Sequence, residues 1–171
     1  MAKGGQFERD VSKFLTKWLT GKEKPFSFWR QDASGGLATI HSENTHLTGD
    51  ITYLRPEAKF LIDIFSIECK VGYPNTSFWQ HFNKTKFNIE DFWIQTLTDA
   101  KKSDKHPMLI YRKKGRKWIV GINKYVRDKL SMLLKDYNSI TIKWSKDIED
   151  CILYDFNSFF IITPEQMKEI L

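Results

Sequence analysis

Apolar residues recur along this chain in two rhythms, one helical and one alternating. In residues 4–19, GGQFERDVSKFLTKWL, the positions Phe7, Val11, Phe14, Leu15 and Trp18 fall at helical spacing and form one stripe. Gly21 stands where that helix would stop. FSFWRQD (26–32) predicts an aromatic-rich strand, and the small, polar, glycine-containing stretch 33–49 predicts a loop. DITYL (50–54) is a short strand, and RPEA turns the chain at Pro56. The apolar run FLIDIFSIECK (60–70) reads as the next strand, paired with 50–54 as a hairpin.

Residues 71–89 show no clean period; Tyr73, Phe78, Trp79, Phe82 and Phe87 are interleaved there with polar and basic groups. A helix is predicted over 90–102, and strands over 107–113 and 116–122 form a hairpin around Lys114-Gly115. A helix over 124–136, a strand over 139–144 and a short strand over 158–162 follow. At the end Thr163 caps a last helix, with Pro164 at its first position and Gln166 closing a capping box. No repeat or linker interrupts this order, so residues 1–171 read as one α/β domain, a central mixed sheet flanked by helices.

Composition narrows the class. A chain of 171 residues with 41% apolar and 15% aromatic residues can bury a core and is not disordered. Its net charge of +6 favours a polyanionic partner, nucleic acid or an anionic surface. No apolar leader opens the sequence and no run approaches a membrane span, so a cytoplasmic protein without membrane contact is expected. Cys69 and Cys151 make no disulfide framework, and His41, His46, His81 and His106 do not fall at zinc-ligand spacing.

Three acidic positions then stand out: Asp50 after Gly49, Glu68 in Glu68-Cys69-Lys70, and Glu8 on the first helix. In a strand, Glu68 and Lys70 share a face and Cys69 points the other way. Paired carboxylates suit Mg²⁺, with Mn²⁺ as a substitute; the Cys69 carbonyl oxygen would add a ligand. A metal-bound water has a lowered pKa, and Lys70 could orient it or neutralise a phosphate. Such a set suits phosphodiester hydrolysis. An exposed Glu68–Lys70 pair, a turn aspartate and a first-turn helix acid at Glu8 would give the same letters. Asp63 is an alternative acid, on the opposite strand face from Glu68 by parity.

The pattern Gly49-Asp50 … Glu68-Cys69-Lys70 resembles the PD-(D/E)xK nuclease superfamily, and within it archaeal-type Holliday junction resolvases. The likeness covers residues 4–122 and leaves 123–171 without a counterpart. It implies a restriction-endonuclease-like mixed sheet flanked by helices, Mg²⁺-dependent cutting of branched DNA, and a homodimer. GGQFERDVSKFL matches the helix whose glutamate joins the metal site, at Glu8. FWRQDASGG matches a strand and Ser/Gly loop, with Ser34 as the matching serine; Arg30 is separately a candidate for DNA contact. Gln95, in FWIQTLTDAKK, would face the site. Lys84, Lys86, Lys113, Lys114 and Arg116 are the remaining candidates for DNA contact. A glycine replaces the usual proline before the metal-binding aspartate. A sequence-specific restriction or homing endonuclease of the same superfamily, and a nucleic-acid-binding module without chemistry, are the alternatives.

Overall fold

The computed structural model describes residues 3–31, 48–72, 88–144 and 147–171. The first helix, α1 (Lys3–Thr20), runs into a short strand β1 (Phe28–Arg30). Then come β2 (Ile51–Tyr53), a 3-10 turn (Pro56–Ala58), α2 (Lys59–Ile64) and β3 (Phe65–Val71). After these stand α3 (Asn88–Lys102), β4 (His106–Arg112) and β5 (Trp118–Ile122). The tail holds α4 (Lys124–Lys129), α5 (Ser131–Leu134), β6 (Ser139–Ile142), β7 (Cys151–Asp155), α6 (Phe156–Phe159) and α7 (Pro164–Ile170).

Five strands form a mixed sheet in the order β3-β4-β5-β7-β6. β3 and β4 are parallel, and the other neighbours are antiparallel. This is the mixed sheet flanked by helices that the resemblance implies. Register partners share a face, so each strand divides between two cores. Ile67, Cys69, Met108, Ile110 and Val120 join Phe7, Val11 and Leu15 of α1 on one face. Leu109, Tyr111 and Leu153 join Ile89, Phe92 and Trp93 of α3 on the other. The stripe read from α1 is therefore its buried side, and Thr16, fully buried, accepts hydrogen bonds from the Ser27 and Phe28 amides to tie β1 to the helix.

Three expectations change. The run 60–70 is not one strand: residues 59–64 are helical and only Phe65–Val71 is extended. The 3-10 turn at Pro56–Ala58 feeds straight into α2, which buries Leu61 and Ile62 and exposes Lys59 and Asp63 as an i,i+4 ion pair. Asp63 thus stands on an outward helical face, not on a strand. Nor do 50–54 and 60–70 form a hairpin: β2 pairs antiparallel with β1 and meets β3 through a single parallel bridge, Gly49 to Ile67. In the tail, 158–162 is not extended; Asp155 accepts from the Ser158 amide and caps α6, and the strand is the preceding Cys151–Asp155. The helix expected over 124–136 is divided at Leu130.

The β4–β5 hairpin, the stop at Gly21 (φ +72°) and the Thr163–Gln166 capping box form as the sequence predicts. Ser34, Lys84, Lys86, three of the four histidines and the aromatics at 73–87 lie outside the described residues.

Candidate active site at the β3 edge

β3 is the edge strand of the five-stranded sheet, so its outer backbone groups need partners. The segment entering β2 supplies them. Gly49 lies flat against β3 with φ +92°, and a Cβ at this position would stand 2.7 Å from both the nitrogen and the oxygen of Ile67. Glycine is required by that approach, and the fixed φ of proline near –65° would not fit it. The departure from the superfamily's usual proline therefore follows from backbone geometry. Asp50 then donates its amide to the Ile67 carbonyl at 2.7 Å and accepts the Cys69 amide on Oδ2 at 2.8 Å. Its carboxylate is thereby fixed beside Glu68.

Glu68 and Lys70 project from the face that α3 covers. Glu68 is only 4% exposed. Its Oε1 lies 2.5 Å from the Lys70 ammonium and accepts from Gln95 Nε2 at 3.0 Å. Lys70 in turn lies 5.8 Å from the Phe92 ring centre. Burial, and next the negative charge of Asp50, push Glu68 up to about 7 against the opposing pull of Lys70. Asp50 is also raised, by burial, although the Cys69 amide and Lys70 hold it down. Asp99, one turn beyond Gln95 on α3, raises both carboxyls. It is an acid near this site that the sequence reading passed over; its only signal was the i,i+4 spacing from Gln95.

Cys69 points into the core on the α1 face, and burial pushes its thiol well above its ordinary value. Asp50, Glu68 and Glu8 add to that shift, so all three carboxylates bear on this one residue. With the sulfur held protonated, only the Cys69 carbonyl oxygen could serve a hard cation. Glu8 sits on α1 with its Oε2 4.0 Å from the Arg30 guanidinium. Gly5 leaves space here: a Cβ there would stand 2.8 Å from Arg30 Nη1, and the flexible guanidinium would have to shift. Of the two glycines before Glu8, Gly5 thus leaves room for Arg30, while a Cβ at Gly4 would make only ordinary contact.

The structure brings Asp50, Glu68, Lys70 and Gln95 together, with Glu8, Arg30 and Asp99 around them. Among the described residues no three His, Cys, Asp or Glu side chains gather closely enough to enclose a metal. The donor chemistry nevertheless fits one hard divalent cation: two carboxylates, of which Glu68 is raised by burial and next by the charge of Asp50, and the carbonyl oxygen of Cys69, the residue after Glu68. Lys113, Lys114 and Arg116 lie apart from this edge, at the turn joining β4 and β5. No helix among the described residues is long and apolar enough to cross a membrane.

Neither the curated proteins nor the solved structures gave a match to this chain. One family did match, described as phage putative PDDEXK endonuclease, over residues 1–169. The match extends through the tail, so residues 123–169 are covered by the family pattern as well. With almost the whole chain covered, the protein belongs to the phage putative PDDEXK endonuclease family, a nuclease family of the PD-(D/E)xK type.

Proposed function

We propose that the protein is a metal-dependent DNA endonuclease working at the β3 edge, with branched DNA as its preferred substrate. Asp50 and Glu68 carry the reading: two carboxylates are held together at one sheet edge, with an ammonium 2.5 Å from the more buried one. Asp50, Glu68 and the Cys69 carbonyl would hold Mg²⁺, with Mn²⁺ as a substitute and Glu8 as a further ligand from α1. When bound, such an ion supplies charge neutralisation and an acidified water.

The chain's own residues do the rest. Gln95 and Lys70 both donate to Glu68 Oε1, which fixes that carboxylate. Lys70, half-buried against Phe92, presents its ammonium to the water or to a phosphate oxygen. Attack forms one P–O bond and breaks the bond to the leaving sugar oxygen, which takes up a proton. Arg30, beside Glu8, would take an adjoining phosphate. Ser34 is proposed as a supporting contact to the scissile strand, and Lys84, Lys86, Lys113, Lys114 and Arg116 as backbone contacts.

Junction selectivity and a homodimer are proposed from the motif order that resembles the resolvases, since two symmetric incisions need two sites. The tail strands β6 and β7 extend the nuclease sheet, which supports treating 1–171 as one unit. Two free, buried thiols suit a reducing compartment inside a cell. The test is a cleavage assay with Mg²⁺ on junction, flap, single-stranded and duplex DNA, comparing wild type with Asp50→Asn. Cutting of junctions by wild type alone is expected. Cutting of linear duplex at one sequence, with junctions ignored, would replace the resolvase reading by a restriction-type one. DNA binding with no Mg²⁺-dependent cutting would leave only a binding module.

A further inference from the structure

We propose that a cleft beside the candidate site binds one unpaired nucleotide of the DNA, base inward and phosphate on its basic rim. The proposal rests on the nuclease reading and adds a substrate feature to it. The cleft has a volume of about 480 Å³ and opens over the sheet face that carries Glu68 and Lys70. Its nearest wall is Tyr111, the register partner of Lys70 on the parallel strand β4. Adjacent strands lie about 4.8 Å apart, so the floor begins one strand spacing from the Lys70 backbone.

That floor is apolar: α3 packs chiefly on β3 and β4 and reaches Leu153 of β7, and its Ile89 lines the cleft beside the strands beyond. Ile119 of β5, Leu153 of β7 and Ile140 of β6 follow Tyr111 across the sheet on the same face. Ile140 is 54% exposed. A continuous apolar floor across three strands suits a flat π surface. Lys113, Arg116 and Lys117 stand at the rim, against one acid among the described lining residues, Asp155. Cations over an apolar floor match a nucleotide, which joins an anionic phosphate to an apolar ring face. A base stacked and paired within a duplex cannot present that face, so the occupant is an unpaired or splayed nucleotide. Tyr111, shared between the cleft and the neighbourhood of Lys70, places it within a few nucleotides of the scissile phosphate.

The experiment uses forked DNA with single 2-aminopurine substitutions at successive positions near the branch. Fluorescence is read in EDTA, so that binding is observed without cutting. One position is expected to brighten on binding wild type, and Ile140→Asp should abolish that rise. The same variant, at an exposed edge position, should weaken fork binding roughly five-fold and leave fully paired duplex binding unchanged. Arg116→Ala should weaken fork binding with the brightening retained. If no position brightens, or if Ile140→Asp behaves like wild type, the cleft proposal is overturned even where Mg²⁺-dependent cutting proceeds. If brightening occurs as described and no DNA is cut with Mg²⁺, the cleft stands and the nuclease reading falls. A cleft that serves another protein segment would show no brightening and so counts against the proposal.

Discussion

Gly49 and Lys70 show how much single residues decide here. The left-handed φ of Gly49 and its contact with the Ile67 backbone impose separate penalties on any side chain, and backbone cannot yield as a flexible side chain does. Gly49→Ala is expected to cost roughly 2–4 kcal/mol in urea unfolding. It should also reduce cleavage, since Asp50 is the next residue. Gly49→Pro, despite its resemblance to the superfamily pattern, should be worse than alanine. A proline variant as stable as wild type would show that the β2 entry can be rebuilt. Lys70 poses a different question, because its ammonium pairs with Glu68 and, on the proposed reading, would face the reacting groups. Lys70→Ala is expected to lower single-turnover cleavage by about 100-fold or more, with DNA affinity changed by less than about three-fold. Lys70→Arg should not restore the rate, because a planar guanidinium cannot replace a compact ammonium in this half-buried space. Equal losses in binding and cleavage for Lys70→Ala would make it a phosphate anchor only.

At the scale of elements, the legible parts are those whose signals are local. The stripe of Phe7, Val11 and Leu15, the Thr163–Gln166 box and the β4–β5 turn at Gly115 all fix structure within a few residues, and each formed as read. The run 60–70 misled because a continuous apolar stretch has no period to separate helix from strand. Pro56 just before it and the Lys59–Asp63 pair across its start were the helical clues. Asp50 and Glu68 do meet, but through a parallel bridge from Gly49 to Ile67 while β2 pairs with β1, and both are non-local pairings. Asp99 was invisible for the same reason: only the packing of α3 on β3 brings it near. That packing makes Gln95 testable. It is largely exposed yet donates to Glu68, so Gln95→Ala should leave the melting temperature nearly unchanged and lower kcat about ten-fold, with little change in KM. An equal loss for Gln95→Glu would agree, since the donor is lost there too. An unchanged kcat in Gln95→Ala would reduce this hydrogen bond to surface decoration.

At the scale of the whole molecule, the site weakens the fold that holds it. Glu68 has an ordinary value of 4.5 and stands at about 7 in the metal-free protein. Below 4.5 the folded and unfolded forms both carry the proton, and Glu68 adds no pH dependence. Between 4.5 and 7 the folded form keeps the proton that the unfolded chain has released, so raising the pH favours unfolding. Above 7 both are ionised, and the cost of a buried carboxylate beside Asp50 is present in full. The difference amounts to roughly 2–3 kcal/mol, or a melting temperature lower by about 5–10 °C. In EDTA, wild type is therefore expected to lose stability from pH 5 to pH 8 relative to Glu68→Gln, which has no proton to release. Adding Mg²⁺ should restore wild type at pH 8, do much less at pH 5, and do little for Glu68→Gln at either pH. Differential scanning fluorimetry of both proteins at the two pH values, with EDTA and then with Mg²⁺, measures all of this at once. Parallel pH curves for the two proteins, or equal stabilisation of both by Mg²⁺, would mean that Glu68 is neither strained nor a metal ligand. The catalytic case would then have to be rebuilt on Asp50 and Glu8.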